Sequence, residues 1–99
     1  MITSLGTGVI TDPYIKDPDN TEPFAIDWTL RLAGNTIATS AWSVPAGLTN
    51  AGENNTSTIA TLVLSGGTAG ETYAVVNSIV DDSGFKLLDQ TIYITISEN

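Results

Sequence analysis

The chain has 99 residues, enough for one domain with a single modest core. It contains no cysteine and no histidine, which excludes disulfide bonds, thiolate or histidine metal sites, and catalytic triads that need either residue. Eleven acidic residues against three basic ones give a formal net charge of −8, which repels nucleic-acid phosphate and anionic membranes. We therefore expect neither nucleic acid nor membrane as a partner.

Residues 1–23 differ from the rest of the chain because they contain two glycines, three prolines and no sustained apolar period. We predict an N-terminal arm over residues 1–15, followed by a folded domain over residues 16–99. The arm carries more apolar surface than a solvated tail needs, so we expect it to become ordered on a partner. The alternative is a disordered tail. The candidate docking residues are Val9, Ile10, Tyr14 and Ile15.

We expect that the N-terminal segment is not a secretory signal. Its first twenty residues lack the basic start and unbroken apolar stretch of a secretory signal. No apolar run approaches the length that crosses a bilayer. We expect a protein made in a cytoplasm that stays there or leaves as part of a larger particle.

Beyond residue 16, short runs of alternating apolar residues predict β-strands. The stretch "FAIDWTL" places Phe24, Ile26 and Trp28 on one face, and the same alternation recurs in four later runs. A short edge strand is predicted around Leu48 and Thr49. Turns rich in Gly, Pro and Asn separate the runs, and no helical period of useful length is present. The sequence therefore predicts an all-β, immunoglobulin-like β-sandwich of six or seven antiparallel strands.

Three residues of the predicted strands stand out. Trp42 and Tyr73 are expected in one core, with the Tyr73 hydroxyl bonded to backbone at the preceding corner and neither residue touching a ligand. Asn77 is polar among apolar neighbours, and we expect it to satisfy an irregularity in the adjacent strand. The predicted core consists of Phe24, Ile26, Trp42, Leu62, Leu64, Tyr73, Val75, Ile92 and Ile94.

The acidic turns are the candidate chemical sites. The adjacent carboxylates of Asp81 and Asp82 face opposite ways on a strand and make a poor catalytic pair. The stretches "DPDN" and "DDSG" offer oxygen ligands for calcium, but we expect them at opposite ends of the sandwich. Ordinary turn chemistry accounts for both stretches. We therefore predict no catalytic residues, no metal site and no cofactor, and hence no enzyme.

Three spaced motifs lie within residues 16–96, namely "KDPDNTEPFAIDW", "NTIATSAWSVPAGLT" and "LSGGTAGETYAVVNSIVDDSG". Together they resemble a family of tailed-bacteriophage virion proteins, the Ig-like fiber–tail adaptor or head–tail structural proteins. Residues 1–15 and the stretch "FKLLDQ" depart from the family pattern, and both lie where an adaptor would meet its neighbour.

The resemblance implies a structural component of the virion, synthesised in the host bacterial cytoplasm. Its implied role is an adaptor that links tail or connector to fiber or neighbouring virion proteins, in a symmetric multi-copy assembly. Two alternatives stay open at this point. One is a capsid decoration protein, and the other is a carbohydrate- or host-surface-binding module that uses exposed tryptophan and tyrosine rings.

The predicted arm leads to a testable expectation. A chain lacking residues 1–15 should keep its fold and its melting temperature within a few degrees, yet fail to assemble onto particles. If the truncated chain unfolds instead, the docking surface should lie on the loops at "LAGNT" and "DDSGF".

Overall fold

The computed structural model describes residues 2–5 and 14–98, and the side chains of residues 14–98. Eight strands and one short helix occupy these residues. The strands are β1 Ile2–Leu5, β2 Tyr14–Lys16, β3 Glu22–Asp27, β4 Ile37–Ser43, β5 Leu48–Asn55, β6 Ile59–Gly66, β7 Thr72–Asp81 and β8 Leu87–Ile96, and the helix α1 is Thr29–Leu32.

The strands form two four-stranded sheets, ordered β1-β3-β6-β5 and β2-β8-β7-β4. Strands β3, β6 and β5 and strands β8, β7 and β4 reproduce the two sheets of an immunoglobulin domain. The predicted all-β, immunoglobulin-like sandwich is therefore confirmed. Strands β3 to β8 supply the six antiparallel strands of the prediction. The two further strands lie in or next to the predicted arm, and both pair in parallel, β1 with β3 and β2 with β8.

Alternation explains how the core forms. On β7, Val75 and Ile79 are fully buried, while Ala74 is exposed and Val76 is partly exposed. Strands β6, β7 and β8 thus each turn one mainly apolar row toward the opposing sheet, as period-two patterning requires. The fully buried apolar side chains are Phe24, Ile26, Trp28, Leu32, Ala60, Leu62, Leu64, Val75, Ile79 and Ile94.

The end of β3 corrects one prediction. The sequence predicts a strand through residue 30, but β3 ends at Asp27 and α1 begins at Thr29. The Asp27 carboxylate accepts hydrogen bonds from the Thr29 backbone N–H at 3.0 Å and from its hydroxyl at 2.5 Å. This local bonding favours a turn over an extended chain. The turn places Trp28 and Leu32 together in the core, both fully buried.

Of the described residues, none belongs to a helix long and apolar enough to cross a membrane.

The strand predicted around Leu48 is longer than expected. It runs for eight residues and pairs with β6, with a register shift between Asn50 and Gly52. Apart from Leu48, every residue of β5 is exposed. Because these side chains are mostly polar and show no apolar alternation, periodicity gave no signal for the strand. Backbone pairing with β6 holds it in place.

Candidate functional site

Asn77 is the centre of a buried polar network. Its Oδ1 accepts a hydrogen bond from Trp28 Nε1 at 2.9 Å. Its Nδ2 donates to Ser40 Oγ and to the Ala41 carbonyl, both at 3.0 Å. Asn77 bonds the adjacent strand β4 as expected, but at Ser40 and Ala41 and not at the irregularity between Ile37 and Thr39. Its bond to Trp28 is an addition that sequence reasoning missed. All of these groups are internally satisfied, so the network is structural.

Tyr73 closes the corner between β6 and β7. Its hydroxyl accepts a hydrogen bond from the Thr68 backbone N–H at 3.1 Å, which confirms the predicted corner contact. The ring is partly buried and packs against the core. Gly47 lies directly against this ring, because a Cβ at Gly47 would sit 2.8 Å from the Tyr73 hydroxyl oxygen. These two contacts hold the ring at the corner, where it is less buried than predicted.

Trp42 is less buried than predicted. It packs against the core but stays partly exposed, whereas Trp28 is fully buried. The reason is position, since β4 is an edge strand of its sheet and no described strand pairs with its far side. Trp42 Nε1 is buried and has no hydrogen-bond partner within the described part of the chain.

The "DDSG" turn is a hydrogen-bonded structural unit. Asp81 is buried, and its carboxylate accepts from the Ser83 hydroxyl at 2.6 Å and from the Asn35 side-chain amide at 2.9 Å. The Ser83 hydrogen bond is the largest effect and lowers the pKa of Asp81 below its ordinary value of 3.8. Burial opposes this shift, while Asn35 and the backbone N–H groups of Lys86 and Gly84 reinforce it. Asp81 thus acts as an ionised acceptor that ties this turn to the loop after α1.

The two acidic stretches lie at opposite ends of the sandwich. Ser97, just after β8, donates its N–H to the Lys16 carbonyl beside "DPDN", whereas the Asp81 N–H bonds the Lys86 carbonyl just before β8. Ten residues of β8 separate the two places, or about 30 Å. The expectation that these stretches do not converge is confirmed. Within residues 2–5 and 14–98, no cluster of three acidic side chains has metal-site geometry.

Lys16 is a buried cation that sequence reasoning missed. Its side chain is fully buried, and Nζ donates to the carbonyls of Asp17 and Gly66, both at 2.8 Å. Because Gly66 ends β6 in the opposite sheet, this ammonium joins the two sheets. The only signal in the sequence was the spacing of two residues between Tyr14 and Lys16, which places both side chains on the same, inward face of the strand.

The predicted docking residues fall into three groups. Ile15 is 54% exposed on β2 and points outward. Tyr14 points inward, and its ring lies 6.1 Å from the Phe24 ring at a tilt of 45°. Val9 and Ile10 lie outside the described residues. Of the two described residues, Ile15 alone offers its side chain to a partner.

Sequence reasoning also missed a set of exposed apolar residues at the other end. Phe85 is 97% exposed, Leu30 71% and Leu87 66%. They lie at one end because Lys86 Nζ donates to the Arg31 carbonyl at 2.9 Å, which joins the β7–β8 turn to α1. Single exposed apolar side chains are common on soluble proteins, whereas several at one end form a candidate contact surface.

The fold and these contacts define an immunoglobulin-like β-sandwich protein, in which the buried polar groups hold the fold together and several apolar side chains are exposed. A family profile described as podophage GP4 fiber-tail adaptor protein gp77 matches residues 16–95. The match covers most of the chain, and the protein belongs to this family. A comparison with curated proteins finds no match.

Proposed function

We propose that this chain is a non-enzymatic adaptor that joins the tail or connector of a tailed bacteriophage to a fiber or neighbouring virion protein. The family match over residues 16–95 is the observation that carries the proposal. We further propose that the chain is present in several copies around the tail axis, and that it is made in the host bacterial cytoplasm before it enters the virion.

The distribution of exposed apolar side chains supports a two-sided adaptor. Ile15 pairs with Thr95 near the end of β8, while Leu87 begins that strand. The two places are about 26 Å apart along the strand. Phe85 and Leu30 lie at the Leu87 end. A protein that links two others needs contact surfaces that both partners can occupy at once, and this separation provides them.

We propose that the N-terminal arm, residues 1–15, contributes one of these contacts. Ile15 is its described candidate, because its side chain is exposed and lies on the short edge strand β2. An edge strand has unpaired backbone groups that can add a partner strand. The arm would then dock on a neighbouring virion protein or on a second copy of this chain.

Deleting the gene from the phage and examining the purified particles tests the adaptor role. We expect heads and tails that lack fibers, and we expect restoration of the fibers when the wild-type chain is supplied. An averaged particle reconstruction should place the chain between tail and fiber in a small multiple of three or six copies. Particles that lack the chain but keep their fibers would contradict the proposal.

A pair of substitutions tests the two contact surfaces separately. Phe85→Ser and Ile15→Ser each remove an exposed apolar side chain without removing a core contact. Each should reduce incorporation of the chain or the fiber while the melting temperature stays close to wild type. Thr49→Ser, an exposed change on β5, is the matched control and should leave incorporation unchanged.

A further inference from the structure

Apolar and basic side chains lie together at the end of the sandwich that carries α1, on a surface here called the mixed patch. Leu30 and Arg31 belong to α1, whereas Phe85, Lys86 and Leu87 run from the β7–β8 turn into β8. The Lys86 ammonium holds the two segments together by donating to the Arg31 carbonyl at 2.9 Å. Of the four large apolar side chains that are exposed in the described part of the chain, three lie in the mixed patch.

The mixed patch also carries both side-chain cations that reach the surface. The chain has three basic residues, and the third, Lys16, is fully buried between the sheets. Arg31 and Lys86 are each partly exposed. Among the described residues, the Arg31 guanidinium has neither a hydrogen bond nor an ion pair, and Lys86 Nζ bonds only a carbonyl. Both cations therefore lack a carboxylate partner in this part of the chain, although the sequence contains eleven acidic residues.

The carboxylates at this end of the sandwich bond to other groups. Asp81 and Asp82 lie at the β7–β8 turn, and Asp27 precedes α1. Each accepts hydrogen bonds from neutral side-chain or backbone donors of the turns and loops beside it. None of the three forms an ion pair with a cation of the mixed patch. The fold thus satisfies these carboxylates without using Arg31, whose charge is left for a partner.

We propose that the mixed patch binds an apolar surface that carries a carboxylate, on a virion protein other than this chain. The Arg31 guanidinium can donate two parallel hydrogen bonds to a carboxylate. The exposed Phe85 ring and the two leucines beside it exclude water from such a pair when they are covered. Aromatic residues and arginine are also the residues enriched in protein–protein interfaces. This inference rests on the adaptor role proposed above and gives the chemistry of one of its two partners.

Two other occupants of the mixed patch are disfavoured. Nucleic acid is one, because a chain with a formal net charge of −8 repels phosphate. A second copy of the chain is the other. Outside its own mixed patch, the large apolar side chain that a second copy exposes is Ile15, close in sequence to the acidic "DPDN" turn. A contact there would cover the second surface of the adaptor, which its other partner needs.

Carbodiimide treatment of purified particles tests the proposal, because this reagent joins a lysine amine directly to a carboxylate in contact with it. Lys16 and Lys86 are the lysines of the chain, and Lys16 is fully buried. We expect mass spectrometry to find Lys86 joined to an aspartate or glutamate of a different virion protein. The free chain, treated in the same way, identifies links within one molecule. Lys86→Arg keeps the charge but not the amine, so it should lose the cross-link and keep its incorporation.

A pair of substitutions tests the charge of the mixed patch through incorporation of the chain into particles. Arg31→Gln and Thr49→Glu each make the formal net charge more negative by one, but Thr49 is exposed on β5, away from the mixed patch. Arg31→Gln should reduce incorporation at least about tenfold, because it leaves the partner's carboxylate unpaired. Thr49→Glu should leave incorporation unchanged. Both variants should melt close to wild type, since Arg31 has no partner within the described residues.

Three results would overturn the proposal. The first is an incorporated chain whose Lys86 is not joined to any other virion protein. The second is a link from Lys86 to a second copy of this chain, and the third is equal incorporation of Arg31→Gln and wild type. The adaptor role has a separate readout, since loss of fibers on gene deletion does not depend on which residues contact the partner.

Discussion

At the scale of single residues, three buried polar side chains fix the geometry that apolar packing leaves open. Asn77 orients Trp28, Lys16 joins the two sheets, and Asp81 ties the β7–β8 turn to the loop after α1. Apolar contacts are non-directional, whereas each of these groups has defined donors and acceptors. A buried group of this kind stabilises one arrangement because any other leaves it unsatisfied.

Asn77→Ala should therefore be strongly destabilising. The change leaves the buried Trp28 N–H and the Ala41 carbonyl without their partner and opens a small cavity. We expect a loss of about 3 kcal/mol in the free energy of unfolding, measured by chemical denaturation. Asn54→Ala on the exposed strand β5 is the control, and its effect should stay within about 0.5 kcal/mol. Equal effects of the two substitutions would show that the network contributes nothing.

Asp81 should make the stability pH-dependent in acid. The pKa of Asp81 is lowered in the folded chain, chiefly by the Ser83 hydroxyl, so folding favours the ionised carboxylate. Its contribution is fully present above the ordinary value of 3.8 and disappears as the pH falls through the lowered folded pKa. Asp81→Asn should lower the melting temperature at neutral pH, and the difference from wild type should shrink below about pH 4.

Thermal melts from neutral pH down to about pH 2 measure this effect. Asp19→Asn on the exposed "DPDN" turn serves as the control and should follow the wild-type curve. A difference between Asp81→Asn and wild type that stays constant through the acid range would contradict the assignment, because it would show an effect independent of ionisation.

At the scale of elements, the turns decide how the two sheets meet. Gly47 precedes β5 with a φ of +102°, a conformation that side chains rarely adopt. It also lies against Tyr73, which bonds the β6–β7 turn at Thr68. One glycine and one tyrosine thus connect the start of β5 to the corner that leads into β7. Gly47 is required both for its backbone conformation and for the space that it leaves.

Gly47→Ala and Gly34→Ala separate these two requirements. Gly34 also has positive φ, at +93°, but a Cβ there meets nothing within 4 Å. Gly34→Ala should cost only backbone strain, about 1 kcal/mol. Gly47→Ala should cost the same backbone strain and about 1–3 kcal/mol more of the free energy of unfolding, because the Tyr73 ring must move. Denaturant titration of both variants measures the difference in the free energy of unfolding. Equal losses of stability would show that the Tyr73 ring moves away from the added methyl group at no cost.

At the scale of the whole molecule, the N-terminal residues contribute to both sheets. Strand β1 pairs with β3 at four positions, and β2 pairs with β8 at three. The proposed division into an arm and a sandwich at residue 15 therefore concerns what the segment does in an assembly. In the isolated chain, two of its stretches pair with the strands of the sandwich.

These pairings change the expectation that a chain lacking residues 1–15 melts within a few degrees of wild type. A chain lacking residues 1–13 loses the four β1–β3 pairs but keeps Tyr14 against Phe24. A chain lacking residues 1–15 also loses the Tyr14 ring and should be less stable than the chain lacking residues 1–13 by about 2 kcal/mol. Differential scanning calorimetry of the two chains measures the contribution of these two residues. Equal melting temperatures would show that β2 adds no stability.

The same two chains test docking. If residues 1–15 bind a neighbour through Ile15, the longer chain should join particles better than the shorter one at a temperature where both are folded. Equal incorporation would move the docking surface to the loops around Leu30 and Phe85.

The period-two alternation of apolar residues was enough to predict the fold class, because a strand with one buried face carries apolar residues at every second position. It placed Phe24, Leu62, Val75 and Ile94 in the core, and all four are fully buried. The Tyr73 corner followed from a tyrosine behind a glycine turn. The family could be inferred from spaced motifs that the profile match over residues 16–95 confirmed. Each of these inferences depends on neighbours along the chain.

The tertiary structure alone decided what depends on neighbours in space. Strand β5 has no apolar pattern and exists because β6 pairs with it. Trp28 became the central tryptophan and Trp42 a partly exposed one, because β4 lies at a sheet edge. The ammonium of Lys16 is buried because the Gly66 carbonyl, fifty residues away, lies within hydrogen-bond distance of it. Contacts between distant parts of the chain determine these features, and no local sequence pattern indicates which distant residues will be in contact.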